Sequence, residues 1–158
     1  MQGDPQVLTH LQAQLKIELT AINQYFLHYR MLKHWGFDAF AKKEHCKSIQ
    51  EMKHADRLMD RIFMLDGLPN LQDLAKLQVG EDMPEILQCD LRTETASQAT
   101  LKAAMTHCES VRDYVSRDLL QSILEATEER IDFLETHIAL IEKMGVQNYL
   151  QSQMGDAA

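Results

Sequence analysis

The sequence predicts an all-α fold, a four-helix bundle with one long crossover connection and a short C-terminal helix. Three observations carry this. Only 3 prolines and 6 glycines punctuate the 158 residues, and Leu, Ala, Gln, Glu and Lys, all good helix formers, are frequent. Long stretches show apolar residues three and four apart, the period of one helix face. Residues Pro69 to Asp82 form a connection too long for a simple turn, whereas the other links are short. A long middle link lets the second and third helices run parallel. The length favours a single domain over 1–158 with a real core.

The elements follow in order. Asp4-Pro5 supplies an N-cap and a first-turn proline, and helical pattern runs over about 5–33 before Trp35-Gly36 breaks it. A second helix is expected over about 38–65, stopped by Asp66-Gly67-Leu68-Pro69. Asp82-Met83-Pro84 opens a third, over about 83–110, and a fourth spans about 113–144 and stops at Gly145. A tail helix is expected over 147–154. The first seam is Leu8, Leu11, Leu15, Glu18, Ile22, Tyr25, Tyr29 and Leu32. The second carries Glu51, His54, Leu58, Ile62 and Leu65. The third carries Leu87, Leu91, Glu94, Leu101, Met105 and Cys108. The fourth carries Leu120, Leu124, Thr127, Ile131, Leu134, Ile138 and Ile141.

Bulk chemistry removes several function classes. A formal net charge of -8 speaks against nucleic-acid binding, which relies on Lys and Arg neutralising phosphates. No apolar run approaches the roughly 20 residues of a membrane span. The N-terminus has no basic-then-apolar signal. Cys46, Cys89 and Cys108 are odd in number and widely spaced, and they read as free thiols in a reducing cytoplasm.

Three of the four seams carry a carboxylate where a core needs apolar side chains: Glu18, Glu51 and Glu94. An unpaired buried charge is costly. Glu51 and His54 are three apart and point the same way. Di-iron sites in helical bundles use one Glu from each of two helices and Glu-x-x-His from each of the other two. Carboxylate oxygens with imidazole suit iron or manganese. Glu18 and Glu51 are 33 positions apart, and the same step from Glu94 lands on Thr127-Glu128-Glu129-Arg130. Both expected ligands of the second Glu-x-x-His are therefore absent. Glu128 and Glu129 face away from residue 127, because each position turns a side chain by about 100°, and read as a solvated face. Arg130 has two readings: its guanidinium reaches Glu94 or Glu51 in place of a metal, or it extends outward and touches no ligand. Met52 lies next to Glu51 and faces out of the bundle, on a stripe with Ile49, Met59 and Phe63. By spacing alone, Met52 is a packing residue.

At these residues the chain resembles bacterioferritin, over nearly its whole length. The stretches that carry the likeness are Glu18 to Phe26 (ELTAINQYF), Glu51 to Asp56 (EMKHAD), Gly67 to Asp73 (GLPNLQD) and Asp113 to Asp118 (DYVSRD). The resemblance implies a ferritin-like bundle assembled as a hollow shell of twenty-four subunits that oxidises ferrous iron and stores ferric mineral. It implies haem b, held by Met52 from two subunits across a two-fold axis, and iron on Glu18, Glu51, His54 and Glu94. The family's last two di-iron ligands match Thr127 and Arg130, and its inner-surface His and Asp match Cys46 and Gln50. The chain thus resembles the haem-supplying subunit type, which pairs with a ferroxidase-competent subunit. The surface matching that of the small iron-sulfur ferredoxin partner comprises Leu68 to Asp73, Asn70 among them, with Glu81 and Glu85.

Two rival readings stand beside this one. A self-sufficient ferroxidase needs a complete centre and is opposed by Thr127 and Arg130. A metal-free bundle for binding or signalling leaves three seam carboxylates and a seam histidine unexplained.

Overall fold

The computed structural model describes residues 1–155. Its elements are α1 (Pro5–Trp35), α2 (Asp38–Met64), α3 (Met83–Ser110), α4 (Tyr114–Met144) and α5 (Val146–Ser152), with no strand among the described residues. Every expected helix is present, with ends shifted by one or two residues for local reasons. The Asp4 carboxylate accepts from the Gln6 and Val7 amides, both at 3.1 Å, and starts α1. Gly36 closes it in the left-handed region, φ 89°, and the Phe37 amide returns to the Leu32 carbonyl at 2.9 Å. At the end of α2, Asp66 rather than Gly67 takes the left-handed conformation, φ 63°. The Gly67 amide returns to Ile62 O at 2.9 Å. Asp113, expected as the first residue of the fourth helix, is its cap and accepts from the Ser116 amide at 3.0 Å.

Helix α1 packs along α2, α3 along α4, and the two pairs face each other. Apolar side chains gather in two separate clusters. One, towards the N-terminal end of α1, holds Val7, Leu11, Leu15, Leu58, Ile62, Leu101, Leu120 and Ile123. The other, towards the C-terminal end of α1, holds Leu32, Phe40, Met83, Ile86, Leu87, Leu134 and Tyr149. Burial of these groups supplies the main drive for folding. The seam positions between them are Glu18, Tyr25, Glu44, Glu51, His54, Asp90, Glu94, Thr127 and Arg130, all buried. The bundle is therefore a polar layer held between two apolar plugs.

The crossover from α2 to α3 is irregular chain and must place its backbone polar groups somewhere. It lies along α1 and meets side chains there four residues apart, and all but Lys16 take its backbone groups. Gln12 donates to Leu68 O at 2.7 Å and accepts from the Asn70 amide at 3.0 Å. Lys16 pairs with Asp73 at 3.2 Å. The Thr20 hydroxyl accepts from the Ala75 amide, Gln24 Oε1 from the Gln78 amide, and His28 Nε2 from the Gly80 amide. The last of these positions Gly80 against the start of α3, where an added Cβ would overlap the Ile86 backbone. Gly80→Ala should destabilise the protein by about 1–3 kcal/mol, the usual cost of overpacking, visible as a lower melting temperature. An unchanged melt would show that the crossover is not seated there.

Candidate metal centre

The polar layer arises from heptad-like steps on each helix. On α2 the layer draws on Glu44, Lys47, Glu51 and His54, three, four and three apart. On α3 it draws on Asp90, Glu94 and Ser97, and on α4 on Thr127 and Arg130. Helix α1 contributes Gln14, Glu18, Tyr25 and His28.

Glu18, Glu51 and His54 come together. One donor atom from each lies within 4.8 Å of the others, and all three residues are buried. His54 Nδ1 stands 3.5 Å from Glu51 Oε2 and 3.8 Å from Glu18 Oε2. Neither Glu18 Oε2 nor His54 Nδ1 has a hydrogen-bond partner. Buried polar atoms left unpaired in this way cost free energy unless something satisfies them. Ligands about 2.0–2.2 Å from one ion stand roughly 3.5 Å apart in a tetrahedral shell, so the three donors fit a single divalent ion. The other oxygen of Glu18 is held in place, accepting from Gln14 Nε2 at 2.9 Å. Gln14 is itself fixed by a 3.0 Å bond to Ser97.

The structure does not bring Glu94 into this group. Its Oε1 accepts from the Tyr25 hydroxyl at 2.7 Å and lies 3.6 Å from Lys47 Nζ. Lys47 also stands 2.7 Å from Glu51 Oε1. Burial pushes the Lys47 ammonium below its usual range and the neighbouring Glu94 charge pulls it back up. Burial raises the Glu94 carboxyl, and Lys47 opposes that rise.

Thr127 and Arg130 bring no ligand to the cluster. The Thr127 hydroxyl donates to Ile123 O of its own helix at 3.0 Å. Arg130 departs from both expectations. It is buried, and its Nη2 lies 2.7 Å from Glu44 Oε1 and 3.6 Å from Asp90 Oδ2 rather than on Glu94 or Glu51. Its guanidinium also sits over the Phe133 ring, 4.9 Å from the centroid. The reason is reach: Lys47 already faces Glu51 and Glu94, and Arg130 stands nearest to the second acidic pair. Glu128 and Glu129 are exposed, as expected of a solvated face.

His28, Glu44 and Asp90 form a second buried acid–histidine cluster. Both nitrogens of the His28 ring are in use. Nε2 accepts from the Gly80 amide at 3.1 Å, which leaves Nδ1–H to donate to Asp90 Oδ1 at 2.9 Å. Burial lowers the His28 pKa and keeps the ring neutral. Arg130 against Glu44 gives this cluster a cation of the protein's own, while Glu44 Oε2 and Asp90 Oδ2 have no hydrogen-bond partner. Burial pushes the Glu44 carboxyl well up, and Asp90 beside it adds to the rise. Burial raises Asp90 as well.

Cys46 and Gln50 line an open cleft of about 1030 Å³ with Lys43, Lys53, Lys47 and Arg130. Cys46 is exposed, and no metal-ligating trio forms around it among the described residues. Met52 is 53% exposed on the outer face of α2, with Ile49 and Phe63 also exposed, whereas Met59, expected on the same stripe, turns inward far enough to be half-buried against the apolar cluster of Leu58 and Ile62. Sequence reasoning missed Lys47, Glu44, Asp90 and His28. The available signal was the repeat of polar residues at 44, 47, 51 and 54, which continues the seam of α2 past Glu51.

A one-crossover bundle with carboxylates and a histidine converging between its helices defines a ferritin-like protein, and the ferritin-like domain family matches residues 8–144. The bacterioferritin of Brucella melitensis biotype 1 is 44% identical over 151 residues, covering 96% of this chain and 94% of the relative. That of Mycobacterium leprae is 45% identical over 149 residues, 94% of each chain, and that of Rhodobacter capsulatus is 42% identical over 149 residues, 94% and 92%. The chain belongs to the bacterioferritin family.

Arg130→Gln should cost about 3–5 kcal/mol, the usual consequence of removing one partner from a buried pair. The pH dependence has a defined sign. Glu44 and Asp90 have folded pKa values above their unfolded ones. Their contribution is full below the unfolded carboxyl range and is lost as pH rises through the folded values. Arg130 lowers both carboxyls, so without it the deficit should be larger near about pH 8 than near about pH 5. Thermal melts of both proteins at the two pH values measure this, and a deficit independent of pH would contradict it.

Proposed function

We propose that this chain is a haem-binding bacterioferritin subunit for intracellular iron storage, built into a shell of twenty-four subunits, with its own ferroxidase centre incomplete. The observation that carries the last point is the state of α4. Thr127 spends its hydroxyl on its own helix, and Arg130 spends its guanidinium on Glu44. Helix α4 thus supplies no ligand, and oxygen chemistry that draws two electrons from paired irons lacks its second half. Glu18, Glu51 and His54 hold ferrous iron as cargo, and Glu94 faces the same layer. Alone, the subunit should oxidise ferrous iron slowly, and faster when co-assembled with a subunit carrying a full centre. Stopped-flow oxidation on the homopolymer and on the mixture tests this. Rapid turnover by the homopolymer would favour the self-sufficient ferroxidase reading instead.

Support for haem comes from Met52. Its side chain is exposed on an apolar strip of α2, and such a strip calls for a covering surface. With a second copy packed there, Met52 of each subunit would hold the haem. Haem held by thioethers supplies electron transfer at a raised potential. Met52→Ala should lose haem while the bundle stays folded, because truncating an exposed side chain opens no core cavity. Absorption spectroscopy with far-ultraviolet circular dichroism reads both, and a normal haem spectrum in the variant would remove the assignment.

Leu68 is 78% exposed at the start of the crossover, with Asn70, Glu81 and Glu85 also exposed. An apolar anchor with nearby carboxylates suits a small iron-sulfur ferredoxin that delivers electrons for iron release. Leu68→Ala with Glu81→Gln should slow ferredoxin-driven iron release. Unchanged release would place the docking surface elsewhere.

A further inference from the structure

The two oxygens of Glu51 face different things. Oε2 looks towards His54 and the free oxygen of Glu18. Oε1 sits 2.7 Å from Lys47 Nζ, which is also 3.6 Å from Glu94 Oε1. A carboxylate that would bridge two metal ions here has an open ligand position on one side and an ammonium on the other. We propose that Lys47 is the resident second cation of this centre, so that the bundle takes one divalent ion, on Glu18, Glu51 and His54, and never a pair. The inference rests on the reading of those three residues as ligands.

Charge balance supports it. Five carboxyl groups are buried in the polar layer, on Glu18, Glu44, Glu51, Asp90 and Glu94, and two fixed cations, Lys47 and Arg130, are buried with them. One divalent ion offsets most of the negative charge that those two cations leave. A second divalent ion would leave the layer positively charged, which a dry interior penalises. Access points the same way. The open cleft on this face is lined by Lys42, Lys43, Lys47, Lys53 and Arg130, which outnumber the Glu129 carboxylate also in its lining. A cation approaching by that route meets like charge before it reaches Glu51 or Glu94. Lys47 is moreover held in place, its ammonium donating to Gln50 Oε1 at 3.0 Å.

The test is crystallographic location of cobalt(II), by anomalous scattering, in the assembled protein soaked under anaerobic conditions. The unmodified protein should show one peak per bundle, between Glu18, Glu51 and His54, and none between Glu51 and Glu94. Lys47→Gln should gain a second peak beside Glu94. Thr127→Glu, which adds a carboxylate and keeps Lys47, should still show one. Two peaks in the unmodified protein, or in Thr127→Glu, would overturn the role of Lys47 and leave the iron reading standing. One peak in Lys47→Gln would overturn it too, by showing that ligand number alone excludes the second ion. An empty bundle in the unmodified protein would remove the single-ion site and the iron reading together. Should Lys47→Gln fail to fold, the Thr127→Glu result decides the matter.

Discussion

The constraint on which the rest of this structure depends is the burial of five carboxyl groups in the middle of a helical bundle. A lone carboxylate moved from water into a dry interior costs far more than the net stability of a domain. Each one here therefore has a countercharge or a place for an ion. Arg130 serves Glu44 and Asp90. Lys47 serves Glu51 and Glu94. Glu18 and His54 keep unpaired atoms that point at one spot. The apolar plugs on either side exclude water from the layer, and so they determine how strongly each of these pairings is enforced.

The same constraint explains the path of the crossover. His28 would be a liability in this layer unless both its nitrogens were bonded. Asp90 takes one and the Gly80 amide takes the other. The irregular segment is thereby tied to the acidic layer through an imidazole, and the strap along α1 is part of the same hydrogen-bonded system. Gln24 extends it, donating to Asp90 and accepting from Thr93 and from the Gln78 amide.

Much of this was legible in the sequence. The seams, the breaks at Gly36, Asp66-Gly67 and Gly145, and the convergence of Glu18, Glu51 and His54 all follow from helical periodicity. The absence of ligands from α4 followed from a repeat of 33 positions. What could not be read was the direction of long cationic side chains. Lys47 stands four residues before Glu51, a spacing common in exposed helix pairs, and nothing in that spacing marks the lysine as buried. Arg130 had two acidic neighbourhoods within reach, and only packing chose between them. Glu44, Asp90 and His28 are polar residues whose burial depends on a partner helix, and a single helix's pattern does not show its partner. The outward strip with Met52 was visible as a stripe, but spacing could not distinguish a haem ligand from a packing residue.

Helix α2 thus has two assignments on opposite faces. Inward it supplies Glu51, His54 and the cation that limits them. Outward it presents Met52 to whatever covers the strip. The central claim concerns the inward face: this layer carries one metal ion because the protein supplies the other positive charge itself. Electron paramagnetic resonance of the assembled protein saturated with manganese(II), haem removed and unbound ion washed away, reads this most directly. The account predicts the spectrum of isolated, magnetically uncoupled ions. A spectrum of exchange-coupled manganese pairs would contradict it.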